Sequence, residues 1–247
     1  MNVRFADCRY DLAEPTLARE RYLEAHIPGA AFLDLDRDLS DLSIPAEIGG
    51  RHPLPSADRF AAAAGRAGIG PDTLVVAYDD GMTGGAARLW WLLRHFGHDQ
   101  VAVLDGGLKA WLGPLAAGEE EIEPTVFTPR ERAGDMAGTD ELIERLGDPS
   151  LVLLDARQPE RYRGESAGLD PVAGRIPYAL NAPSTTGRLI DLPPEALEAG
   201  DVVAYCGSGV LACVPLLALH RAGRADARLY PGSWSEWSRK GLPVEKG

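Results

Sequence analysis

Cys206 is followed by Gly207, Ser208 and Gly209, and this quartet stands between an apolar run at 202–205 and a helical pattern that begins near Val210. The two glycines permit a tight loop whose successive N–H groups turn inward, and the positive end of the following helix points at the same spot. A cradle of that kind stabilises an anion, and the thiolate is the nucleophilic form of cysteine. In an open α/β sheet, ligands bind in the crevice beyond the carboxyl ends of the strands, which is the address the pattern gives Cys206. The competing reading is a small core residue at a strand end, since free cysteines are often buried for packing alone. Cys8, in an apparent strand, and Cys213, on the helix after the loop, read as packing residues. A cysteine phosphatase needs an arginine six residues after its nucleophile to bind phosphate bidentately, and Ala212 stands there. The flanks of Cys206 do not suit a papain-like protease, and no cysteine forms a CxxC pair suited to zinc.

The elements that must position Cys206 come from a duplication. Asp7-Cys8-Arg9 matches Asp155-Ala156-Arg157, and His26-Ile27-Pro28 matches Arg175-Ile176-Pro177. Further on, the run 75–79 matches 202–206, which sets Asp79 where the second copy has Cys206, and 107–111 matches 233–237. The order is kept throughout, as a direct repeat requires. In each copy short β-branched runs alternate with helical patterns, predicting a mainly parallel sheet flanked by helices in two tandem α/β domains. Strands are expected at 74–78, 101–104, 151–154, 202–205 and 227–230, and helices at 57–67, 86–96, 140–146 and 210–222. Residues 1–115 form the first copy, 116–138 a Gly/Pro-rich acidic linker, and 139–247 the second. Glu119 to Glu121 read as a solvated charge run.

Composition narrows the function classes. The 247 residues carry a formal net charge of −12, which works against a sequence-independent grip on nucleic acid. No run of about 18 apolar residues could span a bilayer. The first residues show no basic segment followed by an apolar one, so the chain reads as cytoplasmic, with neither nucleic acid nor membrane as a partner.

Taken together, His26-Ile27-Pro28-Gly29-Ala30, Val103-Leu104-Asp105-Gly106-Gly107, Arg161-Tyr162-Arg163-Gly164, Cys206-Gly207-Ser208-Gly209-Val210 and Gly232-Ser233-Trp234-Ser235-Glu236-Trp237 resemble the two-domain rhodanese-type sulfurtransferases, the family of thiosulfate and 3-mercaptopyruvate sulfurtransferases. The resemblance covers nearly the whole chain and implies two rhodanese-like domains with the nucleophile in the second. It implies that Cys206 takes a sulfur atom from a small anionic donor as a persulfide and passes it to a thiol or cyanide acceptor, a thiol protein included, without metal or organic cofactor. The Cys-Gly-Ser-Gly form of the loop is similar to the mercaptopyruvate branch. On that likeness Ser208, His52 and Asp36 assist proton transfer, Arg161 holds the donor's anionic group, and Gly207, Gly209, Val210, Leu211 and Ala212 complete the loop around the sulfur.

Several positions depart from the family pattern. Leu211 replaces a threonine, Arg175 a histidine and Tyr178 a glycine, and the second donor-binding arginine is missing from a shortened stretch at 165–174. Family sequence is also deleted around 185–191. Pro215 predicts a kink in the helix after the loop. These departures motivate a second reading, a weakly catalytic sulfur carrier or binding module of the same fold.

Overall fold

The computed structural model describes residues 2–81, 83–184 and 192–247; the deletion around 185–191 lies outside them. The described residues form two compact units, the first from 2–41 and 55–132, the second from 42–54, 133–184 and 192–247. Eight strands are present among them: β1 (Asn2–Asp7), β2 (Ala31–Phe32), β3 (Thr73–Tyr78), β4 (Val101–Val103), β5 (Leu151–Asp155), β6 (Leu180–Asn181), β7 (Asp201–Tyr205) and β8 (Arg228–Leu229). The helices are α1 (Pro15–Glu24), α2 (Ala46–Gly49), α3 (Ala57–Arg66), α4 (Gly85–His95), α5 (Thr139–Glu144), α6 (Pro159–Tyr162), α7 (Pro194–Glu198), α8 (Cys213–Arg221) and α9 (Ser233–Arg239). No helix of the described residues is long and apolar enough to cross a membrane.

Each unit holds a four-stranded sheet, in the order β2-β1-β3-β4 and β6-β5-β7-β8, with every neighbouring pair parallel. A parallel strand covered on both faces must be apolar throughout, which is why 202–205 reads as an unbroken apolar run; all four residues are fully buried. The strand order reverses between β5 and β7, so the carboxyl end of β7 opens on a topological switch point. Cys206 is the next residue.

The two cores are built from matching positions. Ile27, Ala30 and Tyr78 pack with Phe5, Leu104, Leu108 and Trp111 in the first unit. Ile176, Ala179 and Tyr205 pack with Leu153, Tyr230, Trp234 and Trp237 in the second. Burying a large apolar side chain contributes about 1.5–3 kcal/mol, and at the two matching positions the buried Trp234 and Tyr230 replace the partly buried Leu108 and Leu104 of the first unit. The duplication reaches the buried ion pairs as well. Arg9 clasps Asp7, and Arg157 clasps Asp155, each at 2.6 Å. Both guanidiniums also donate at 2.7 Å to a carbonyl, of Ala25 and Gly174 respectively.

Three local features add to the sequence reading. The acidic run is not wholly solvated: Glu120 accepts from the Gly29 N–H at 2.8 Å and meets His26 Nε2 at 3.1 Å. The Gly29 N–H, then His26, holds its carboxyl below the ordinary value. The stretch 116–132 straps the first unit through Thr125 N–H to Gly65 O and Arg130 N–H to Phe96 O, both 2.9 Å, with Phe127 buried. Arg175 is buried; it donates to Gly247 O at 2.6 Å, pairs with Glu245 and lies over the Tyr162 ring. The second unit thereby repeats the His26–Glu120 clip as Arg175–Glu245, and Tyr178 N–H meets Glu245 as Gly29 N–H meets Glu120. Tyr178 keeps the left-handed backbone of the glycine it replaces, with φ of 66° against 75° at Gly29.

Candidate active site

Cys206 and Gly207 are strapped to the start of α9. The Cys206 N–H donates to Ser233 Oγ at 3.1 Å, its carbonyl accepts from Trp234 N–H at 3.0 Å, and the Gly207 carbonyl accepts from Ser235 N–H at 2.9 Å. Ser233 adopts φ of 54°, a left-handed conformation that serine seldom takes, and in doing so aims its hydroxyl at the strand end. The loop then turns through Gly209, whose φ of 80° and close approach to the Pro231 carbonyl leave no room for a Cβ. Its N–H donates to Cys206 Sγ at 3.2 Å. Sulfur is the acceptor in this bond.

The helix after the loop starts at Cys213, three residues later than the sequence pattern predicts. Val210 and Leu211 instead make tight turns, with their carbonyls accepting from Cys213 N–H at 3.1 Å and Val214 N–H at 3.0 Å. Pro215 consequently falls in the first turn of α8, where an N–H has no intrahelical partner, and it does not interrupt the helix. Gly207, Gly209, Val210 and Ala212 are buried in this loop, and Leu211 is half-buried.

The segment 42–54 belongs to the second unit and brings His52 to the loop. Its α2 packs against α9. A Cβ on Gly50 would collide with the Gly232 carbonyl, so glycine with φ of 76° lets the chain run against the start of α9. There the Arg51 N–H donates to Ser235 Oγ at 2.9 Å. The next residue, His52, places Nδ1 2.7 Å from Ser208 Oγ, with both side chains buried. This pair can pass a proton between a hydroxyl and an imidazole.

Arg161, at the end of α6, ion-pairs with the fully buried carboxylate of Asp170, which also pairs with Arg51. Burial, opposed by Asp170, pushes the Arg161 guanidinium below its ordinary value. Both arginines reach Gly207: a Cβ there would lie 2.9 Å from Arg51 Nη2 and 3.4 Å from Arg161 Nη1. The structure therefore gathers Cys206, Ser208, His52 and Arg161 in the second unit. Asp36 lies in the first unit, half-buried in the turn after β2, with its N–H donating to the Asp34 carboxylate at 2.9 Å.

Arg51, Asp170, Ser233 and Ser235 are site residues that the sequence did not single out. Arg51 adjoins His52, and Ser233 matches Gly107 in the repeat, so each had a signal; Asp170, inside the shortened stretch, had none. Cys8 and Cys213 are buried, and their thiols contact the carbonyls of Ala6 at 3.7 Å and Gly209 at 3.5 Å. Burial, and then the neighbouring Asp7, pushes the Cys8 thiol well up, away from the nucleophilic form.

Comparison with known proteins agrees with this geometry. The chain matches the family described as Rhodanese-like domain twice, over residues 2–113 and 138–240. It is 45% identical over 249 residues to a Pseudomonas aeruginosa protein provisionally named 3-mercaptopyruvate sulfurtransferase, covering 94% of this chain and 87% of that one. A Mycobacterium tuberculosis protein, SseB, provisionally named thiosulfate sulfurtransferase, is 41% identical over 265 residues, covering 99% and 91%. The crystal structure of SseA from Escherichia coli, described among 3-mercaptopyruvate sulfotransferases, superposes with a TM-score of 0.78 at 30% identity, covering 94% and 92%. With both copies matched and relatives of this identity spanning nearly its whole length, the chain belongs to the rhodanese-like family and is a two-domain sulfurtransferase.

Proposed function

We propose that Cys206 carries sulfur between a small anionic donor and a thiol or cyanide acceptor, with 3-mercaptopyruvate favoured over thiosulfate as donor. The observation that carries this reading is the Cys206 sulfur held by the Gly209 N–H beside the Ser208–His52 pair and the Arg161 guanidinium. In the first step the thiolate attacks the donor sulfur. With 3-mercaptopyruvate the carbon–sulfur bond breaks, the electron pair goes to carbon, and the donor's thiol proton ends on that carbon, giving pyruvate. Ser208, His52 and Asp36 are the groups we assign to that proton transfer, as the likeness to the family implies. With thiosulfate the sulfur–sulfur bond breaks and sulfite leaves with the pair, so no proton transfer is needed.

In the second step the acceptor attacks the outer sulfur and the Cys206 thiolate is restored, which is covalent catalysis with ping-pong kinetics. The loop from Gly207 to Ala212 surrounds the sulfur in both steps, its N–H groups acting as preorganised donors toward negative charge. Ser208, a neutral hydroxyl that can relay a proton, supports mercaptopyruvate as the donor. The relatives named above divide between the two donors and do not rank them.

The test is mass spectrometry of the intact protein after incubation with each donor. Cys206 should gain one sulfur atom, removable by cyanide. A Cys206 left unmodified by both donors overturns the reading. A persulfide that forms but passes to no small acceptor favours the carrier reading instead.

A further inference from the structure

We infer that the first unit presents an apolar sheet face that a second copy of this chain covers, so that the protein pairs through its first copy. The inference rests on the duplicated fold and is independent of the chemistry proposed for Cys206.

The second unit shows what closes such a face. There Leu153, Val203, Tyr230, Trp234 and Trp237 are all buried. The segment that closes them precedes β5. Met136 bridges Leu229 in parallel along β8, the Ala137 N–H donates to Leu229 O at 2.8 Å, and α5 lays Leu142 on the core with Leu146 beside it. The repeat and the strand register put Phe5, Val76, Leu104, Leu108 and Trp111 at the corresponding places of the first unit. All five are only half-buried. Val3, two residues from Phe5 and on the same face of β1, is 45% exposed, and Ala102, level with Val76 on β4, is exposed as well. The reason is the missing cover. α1, α3, α4 and the 3-10 turn Gly107–Ala110 correspond to α6, α7, α8 and α9, and among the described residues no helix of the first unit corresponds to α5. Nor does any strand or bridge among them pair with the outer edge of β4. A contiguous apolar face of this kind marks an interaction surface, since covering it removes large side chains from water.

The charges around the face choose its occupant. In the second unit α5 is fastened by ion pairs, Glu141 to Arg228 of β8 and Arg145 to Asp201 of β7. Ala102 and Leu74 stand where Arg228 and Asp201 would be, so a charged helix like α5 has nothing there to grip. The first face is apolar to its edge and suits a mate that is equally apolar, which the same face on another copy supplies. Asp105 and Lys109 add the second argument. Both are exposed beside Leu104 and Leu108, and neither has an ionic partner among the described residues. In a two-fold contact each residue pair occurs twice, so Asp105 of one copy against Lys109 of the other makes two ion pairs from one patch. The net charge of −12 on each copy opposes association, which makes the pairing a reversible, concentration-dependent equilibrium.

The test is sedimentation equilibrium of the full-length chain over a concentration series, where a reversible monomer–dimer equilibrium is expected. Ala102→Glu should weaken it by about 10-fold or more, because each copy would bury a carboxylate without a partner. Lys109→Asp and Asp105→Lys should each weaken it by about 3-fold, and the two together, which exchange the charges, should restore it. Circular dichroism separates lost pairing from lost folding, and the charge exchange, made at exposed positions, decides the matter if Ala102→Glu does not fold.

A chain that stays monomeric at every concentration overturns the inference. So does a dimer that a folded Ala102→Glu variant, or the single charge reversals, leave unchanged. A monomer that binds a synthetic peptide of residues 133–147 by calorimetry, and loses it on Ala102→Glu, would give the face to a helical segment of another protein and overturn the second-copy reading. None of these outcomes depends on whether Cys206 accepts sulfur.

Discussion

The loops after β3 and β7 occupy equivalent places in the two copies, and in each the side chain of the first loop residue accepts from backbone N–H groups further along, at different positions and to opposite ends. After β3, Asp79 turns its carboxylate back into the loop and accepts from the N–H groups of Gly81 at 2.9 Å, Gly84 at 3.1 Å and Ala86 at 3.2 Å. The first copy thus carries its own anion, permanently bound, and the loop is structural. After β7 the same position is Cys206, whose Sγ meets the Gly209 N–H at 3.2 Å, with Ser208, His52 and two guanidiniums close by. A cradle for negative charge becomes a reactive site when the built-in carboxylate is exchanged for a group that can form and break a bond. The neighbouring position shows the same division of labour: Gly107 has φ of 63° and fits beneath the Asp79 loop, while Ser233, with φ of 54°, adds a hydroxyl that caps the Cys206 N–H.

The sharpest way to break this comparison is Cys206→Ser, which should lower sulfur transfer by about 10³-fold or more, since removing a nucleophile removes the covalent route. Cys213→Ser, at a buried packing position, should retain most turnover; equal losses in a donor assay would erase the distinction drawn between the two thiols. Next in size, His52→Ala should cost about 10²-fold in kcat with 3-mercaptopyruvate and much less with thiosulfate, because only the first donor needs a proton moved. The same loss with both donors would count against the Ser208–His52 relay. In the first copy, Asp79→Ala should destabilise by about 2 kcal/mol, read as a lower urea midpoint, because three loop N–H groups lose their acceptor. A loss of turnover with no loss of stability would mean that loop is more than structural. The smallest effect is at Tyr178, where Gly should stabilise by about 1 kcal/mol in thermal unfolding by relieving a left-handed backbone, as Gly29 already does in the first copy.

Much of the fold was legible because repetition and apolar patterning are local signals. The matches Asp7/Asp155 and Tyr78/Tyr205 follow directly in the structure as equivalent ion pairs and equivalent tyrosines, whose hydroxyls accept the N–H of Ile27 and Ile176. The start of α8 was not legible: Val210 and Leu211 fit a helical pattern, and only the need to wrap the loop around Cys206 pulls them into turns. Pro215 shows the same limit, since whether a proline breaks a helix or opens one depends on where the first turn begins.

The sequence by itself determined the duplication, the parallel α/β architecture, the family and the candidate nucleophile, because these rest on residue type and order along the chain. Only the tertiary structure decided which charges face the sulfur. Arg51 and Asp170 are 119 positions apart, and nothing local links them. Their pairing exists because Gly50 lets one segment lie against α9 while the turn after α6 buries a carboxylate beside it. Long-range electrostatic partnership is a property of packing, and it leaves no periodic trace in the chain that produces it.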